Sequence, residues 1–151
     1  MQWQCSSFSE LSPKALYDIL KARAEVFIVE QRCAYLDLDG IDELAHHLVL
    51  RNDRSDLVAY ARLIPPSVKF QEPSIGRVLT TRSARRKGFG RLLVRESLSR
   101  LNALYPNLPI RISAQTYLET FYNDFGFVRT SDEYDEDGIP HIEMLRQHAS
   151  L

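Results

Sequence analysis

Arg85-Arg86-Lys87-Gly88-Phe89-Gly90 is the stretch that decides the reading of this chain. It stands between Ile75–Thr80, which reads as a strand, and residues 88–104, which read as a leucine-rich helix. A helix start presents backbone amides without intrahelical partners and a partial positive charge. Glycines there let an anion reach those amides with no Cβ in the way. Flanking Arg and Lys add charge, so the stretch is built for a phosphate or pyrophosphate. Two familiar glycine motifs do not fit. A dinucleotide fingerprint needs a third glycine at position 93, which is Leu, and the Gly-Lys-Ser/Thr of a P-loop is absent.

Working outward, Gln2–Phe8 reads as a first strand. Ser12-Pro13 caps a helix whose apolar positions are Leu16, Ile19, Leu20, Ala24, Phe27 and Ile28, fading near Glu30. Leu11 and Leu16 are placed for a hydrophobic staple. Residues 31–44 are polar and irregular and carry Asp37, Asp39, Asp42 and Glu43. His46–Arg51 and Leu57–Ile64 read as antiparallel strands joined by a polar turn, and Pro65-Pro66 stops the second. After the helix over 88–104, with Leu92, Leu93, Leu98, Leu101 and Leu104 on its apolar side, come a strand at Ile110–Ala114 and a short helix at Thr116–Asp124 closed by Gly126. Two last strands fall near 127–131 and 141–146, with an acidic turn between them. A right-handed crossover makes 75–80 and 110–114 parallel neighbours. The class is mixed α/β, and 151 residues without repeats make one domain, 1–151.

Composition narrows the partners. With 44% hydrophobic and 26% charged residues, the chain is an ordinary globular one. Its longest apolar run, Leu57–Ala61, is far too short to cross a bilayer, and Met1–Gln4 shows no secretory signal, so a cytoplasmic location is expected. A net charge of −1, with the basic residues gathered in one loop (Arg82, Arg85, Arg86, Lys87 and Arg91), argues against nucleic acid and membrane surfaces. Cys5 and Cys33 have no metal-type spacing and read as free thiols. Glu133-x-Asp135-x-Asp137-Gly138 imitates the start of a calcium loop, but Met144 occupies its closing position; no metal is expected.

The sequence resembles the GCN5-related N-acetyltransferase (GNAT) superfamily. Arg85, Gly88 and Gly90 match its Arg/Gln-x-x-Gly-x-Gly/Ala motif, and Tyr122-Asn123-Asp124-Phe125-Gly126-Phe127 matches its Tyr-x-x-x-Gly-Phe element. Val26–Gln31 and Glu136–Ile142 are similar to ElaA-like proteins within it. Arg82 stands where the superfamily often has Pro.

The resemblance implies a central, mostly antiparallel twisted sheet flanked by helices and splayed at an acetyl-CoA site. Val78, Leu79 and Thr80 would hold the pantetheine arm and thioester carbonyl. Arg85, Arg86, Lys87, Gly88, Phe89, Gly90 and Arg91 would hold the pyrophosphate, and Gln115 would reach the pantetheine amides. Tyr122 matches the general acid that protonates the leaving thiolate. The base is left among His46, His47, His141, Glu30 and the loop acids, with His47 and Glu30 favoured. The acceptor implied is a small or peptide-borne amine, drawn by the acids of the 32–44 loop. A homodimer is allowed. The competing reading is an acyl-CoA-binding sensor with little catalysis, which binding without turnover across an amine panel would favour.

Overall fold

The computed structural model describes residues 1–148. Four strands form the first sheet in the order β1 (Gln2–Ser7), β2 (His46–Arg51), β3 (Leu57–Ile64), β4 (Ser74–Thr80), all antiparallel. The second sheet runs β5 (Ile110–Gln115), β8 (Ile139–Arg146), β6 (Val128–Arg129), with β7 (Tyr134–Glu136) also pairing β8. Three α-helices complete the fold: α1 (Pro13–Arg23), α2 (Phe89–Leu104) and α3 (Glu119–Asn123).

Strand alternation sorts the core onto two faces. Leu48, Leu50, Ala61 and Leu63 turn toward α2 and the second sheet, where they join Leu93, Leu101, Ile112, Phe127 and Met144. Val49, Tyr60 and Leu79 turn the other way and meet Ile19 and Ala22 of α1. α1 starts as its sequence dictates, with the Ser12 hydroxyl accepting from the Ala15 amide at 3.1 Å and Pro13 in the first turn. It then widens into a π-helical stretch at Ala24–Glu30, a rare winding that is frequent at functional sites.

α2 buries Leu93, Val94, Ser97, Leu98 and Leu101. Leu92 and Leu104, expected on its apolar side, are exposed instead. The inward stripe follows the four-residue spacing 93–97–101, and that spacing leaves 92 on the outer face.

Two further features depart from the sequence reading. β4 and β5 do not form a parallel ladder. One backbone bond, Arg111 N–H to the Pro73 carbonyl at 3.1 Å, joins the starts of the two strands, and they then lie in separate sheets. β4 also slips register against β3: Tyr60 faces Leu79 but Arg62 faces Gly76, which leaves an extra residue on β4. The bulge holds Arg77 at φ +51°, a left-handed conformation in mid-strand. Bulges bend a strand and raise its twist, which carries the end of β4 away from β5.

The second departure is the acidic run. Part of it, Tyr134–Glu136, is a strand and not a turn. Asp137 and Gly138, at φ +54° and +81°, form the two-residue loop that folds β7 onto β8, with Glu136 opposite Ile139.

Candidate active site

The parting of β4 and β5 leaves a cleft of about 340 Å³. Ile75–Val78 line one wall and Ile112–Gln115 the other. Phe27, Gln31, Cys33 and Tyr35 reach in from the π-helical stretch and the loop after it, and Glu136, Asp137 and His141 from the β7–β8 hairpin.

Just beyond the β4 residues that line the cleft, Thr80 carries backbone that β3 does not use. Leu79 pairs with Tyr60, and the Thr81 amide donates to the Val58 carbonyl at 3.0 Å. Between them, Thr80 turns its own amide and carbonyl away from β3, toward the open edge. The Arg85 guanidinium donates to that carbonyl at 3.3 Å. Leu79, read from sequence as a cofactor contact, has its side chain among the residues under α1 and is not in the cleft wall. Val78 and Gln115 do line the cleft.

Past β4 the chain passes a single 3₁₀ turn and reaches the glycine-rich stretch. Gly88 caps α2 at φ +80°, a conformation that disfavours any side chain. A Cβ built at Gly88 or Gly90 meets nothing within 4 Å, so the space over the helix start is open. Arg86 and Lys87 are exposed. Arg85 is paired with Glu30 at 2.7 Å, and Arg91 is paired with Asp124 and lies over the rings of Phe121 and Phe125. The last contact fixes the start of α2 against α3.

Tyr122 sits on α3, 7% exposed, and lines the cleft. Phe121 and Phe127 pack edge-on against its ring at 5.1 and 5.9 Å between centroids. Burial, with a smaller contribution from Tyr117, pushes its phenol up to about 12. Gly126, at φ +89°, turns the chain out of α3 behind it.

The two favoured bases lie elsewhere. His47 is 1% exposed and is not in the cleft wall. Its Nδ1 lies 2.8 Å from the Tyr60 hydroxyl and its Nε2 2.9 Å from the Asp42 carbonyl, so both nitrogens are engaged, and burial lowers its pKa. Glu30 is tied to Arg85 and lies outside the cleft wall. A titratable pair that does face the cleft is on the hairpin. His141 Nδ1 lies 2.7 Å from the Ile139 carbonyl, which can only accept, so Nδ1 carries the proton. Nε2 lies 3.1 Å from the Glu136 carboxylate. The ring stacks on Tyr134, whose hydroxyl bonds Ser113. Sequence reasoning had His141 among its candidates but passed over Glu136, although Asp137-Gly138 is a hairpin signal that places 136 and 141 near each other.

The three aspartates of the loop are not free to draw an amine. Asp37 accepts from Arg23 Nε at 3.0 Å, Arg77 Nε at 2.7 Å and the Tyr35 hydroxyl at 2.8 Å. Asp42 accepts from Arg23 Nη1 at 2.6 Å and Arg62 Nη1 at 3.0 Å. Asp39 takes both Arg62 Nη atoms at 2.8 Å. Burial raises the Asp39 carboxyl, but the Arg62 hydrogen bonds and charge outweigh it and hold it down at about 2. Three arginines thus balance three aspartates, and the cluster fastens the loop to α1, β3 and β4.

Cys5 and Cys33 are both free and partly buried. Among the described residues no group of three or more His, Cys, Asp or Glu is placed to hold a metal ion, and no helix is long and apolar enough to cross a membrane.

Comparison with known proteins agrees with this geometry. The chain is 45% identical to a UPF0039 protein of Synechocystis sp. over 145 residues, 96% of this chain and 94% of the relative. The crystal structure of an acyl-CoA N-acyltransferase from Pseudomonas aeruginosa superposes with a TM-score of 0.91 at 39% identity, covering 97% of this chain and 99% of that one. The structure of Escherichia coli ElaA gives 0.90 at 37% identity, with the same coverage. Residues 12–147 match the model of the acetyltransferase (GNAT) domain, and the chain belongs to that family of acetyltransferases.

Proposed function

We propose that the protein transfers the acetyl group of acetyl-CoA directly to the primary amine of a small acceptor. The observation that carries this reading is the cleft between β4 and β5. Just past its β4 wall lie the Thr80 amide, turned away from β3, and an open, cation-flanked helix start a few residues on. A pantetheine arm can add to the β4 edge as a further strand would. The pyrophosphate then falls on the amides at the start of α2, with Arg86 and Lys87 beside it.

In this reading the amine nitrogen attacks the thioester carbonyl, the C–N bond forms and the C–S bond breaks. The proton lost by the amine has the Glu136 carboxylate, beside His141, within the cleft to receive it. Tyr122 supplies a proton to the departing thiolate. A phenol held near 12 stays protonated at neutral pH, which a general acid requires. Its hydroxyl has no hydrogen-bond partner among the described residues and is not sealed from solvent. Holding amine and thioester in line is the larger part of the catalysis.

Release of free thiol from acetyl-CoA across a panel of amines tests the reading. Amine-dependent release supports it. Binding of acetyl-CoA with no release on any amine favours the sensor alternative.

A further inference from the structure

The charged groups in the cleft wall are Asp39, Lys69, Arg77, Glu136, Asp137 and His141. Most are already committed. Asp39 is held by Arg62, Arg77 is held by Asp37 and Asp39, and His141 lies against Glu136. Lys69 is different. It comes from the 65–73 loop between β3 and β4, and among the described residues it has no ion pair and no hydrogen bond. Its one recorded partner is the Phe70 ring, 5.5 Å from Nζ. Its side chain is exposed, so the ammonium is free to meet an anion, and Glu136 is the largest opposing charge it senses.

Lys69 and Glu136 therefore line one cleft with opposite charges that do not touch. Neither has the other's contact: Lys69 has no anion beside it, and Glu136 has His141 alone. A ligand that carries a cation and an anion close together would satisfy both. We propose that the acceptor is a free amino acid, its carboxylate on Lys69 and its ammonium against Glu136 beside His141. This rests on the acetyl-transfer reading above and narrows its substrate class.

The chemistry of the reaction fits that placement. The substrate arrives with both charges paired. Acetylation turns its ammonium into a neutral amide, so the product keeps the Lys69 contact and loses attraction to Glu136. Product release is thereby favoured over substrate release. A peptide acceptor fits less well, since its amine and terminal carboxylate lie at opposite ends of the chain.

The test is steady-state thiol release with the standard amino acids, the matching amino-acid carboxamides, and dipeptides with the same first residue. Acetyl-CoA binding is measured separately by thermal shift. For the best amino acid, the carboxamide is expected to show a KM higher by about tenfold, the effect of one lost charge-assisted hydrogen bond. In Lys69→Met that ratio should fall to near one, with the KM for acetyl-CoA unchanged. Equal KM for acid and carboxamide, equal use of dipeptides, or a ratio that persists in Lys69→Met overturns the proposal. Acetyl-CoA binding with no amino acid accepted overturns it too, and leaves the acetyl-transfer reading to other amines. Failure to bind acetyl-CoA overturns both.

Discussion

Arg23→Met probes the buried charge cluster that fixes one side of the cleft. Arg23 is 0% exposed and gives up three bonds on replacement: Nη1 to Asp42, Nε to Asp37 and Nη2 to the Asp37 carbonyl. Breaking a buried ion pair by removing one partner costs about 3–5 kcal/mol, because a charge is left without compensation. Here the cost falls near the lower end. Asp42 keeps Arg62, and Asp37 keeps Arg77 and Tyr35. What cannot be recovered is the balance of three cations against three anions. We therefore expect a loss of about 3 kcal/mol, which for a domain of this size lowers Tm by about 6–12 °C. Urea unfolding followed by circular dichroism measures it. The double variant Arg23→Met/Asp42→Asn restores the charge balance and should be more stable than the sum of the two single losses, a coupling of about 1 kcal/mol or more. A single-variant loss below 1 kcal/mol, or strictly additive losses, would refute the view that this cluster holds the loop in place.

Tyr122→Phe should lower kcat by about a hundredfold and leave acetyl-CoA affinity nearly unchanged; a fully active variant on a good acceptor removes the acid assignment. Gly88→Ala meets no steric contact but must adopt φ +80°, so it should cost about 1 kcal/mol of stability. Gly88→Glu adds a negative charge at the helix start and should abolish acetyl-CoA binding, read by calorimetry. Stability should also fall in acid. Asp39 and Asp42 have carboxyls depressed in the folded state, so their contribution is complete above the ordinary aspartate pKa of about 4 and is lost as pH falls toward 2. Denaturant midpoints that stay flat from pH 5 to pH 2 would contradict this. His47→Asn, placed outside the cleft, should cost stability while leaving the pH profile of kcat in place.

Much of the fold is written locally. Ser12-Pro13 starts α1, Pro65-Pro66 follows β3, and Gly126 adopts the left-handed conformation its position called for. Such signals act within a few residues, so a single sequence displays them. The opening between β4 and β5 is a different kind of fact. It depends on a bulge at Arg77, a residue with no intrinsic preference for positive φ, held there while its guanidinium bonds Asp37 forty positions away. The acids of the 31–44 loop look solvent-facing in sequence because their partners, Arg23, Arg62 and Arg77, come from three other elements. His47 likewise looks like a base until Tyr60 and the Asp42 carbonyl are found on its two nitrogens. The β7–β8 hairpin, by contrast, had a local signal in Asp137-Gly138, obscured by the density of acids around it.

The most direct measurement is the heat stability of the purified protein with and without acetyl-CoA. A ligand at a hundred times its dissociation constant stabilises the folded state by about 2.7 kcal/mol, which here means a rise in Tm of about 5–11 °C. That rise should appear with acetyl-CoA and be absent in Gly88→Glu. An unchanged melting temperature at millimolar acetyl-CoA would contradict the assignment of the cleft and of the glycine-rich helix start together.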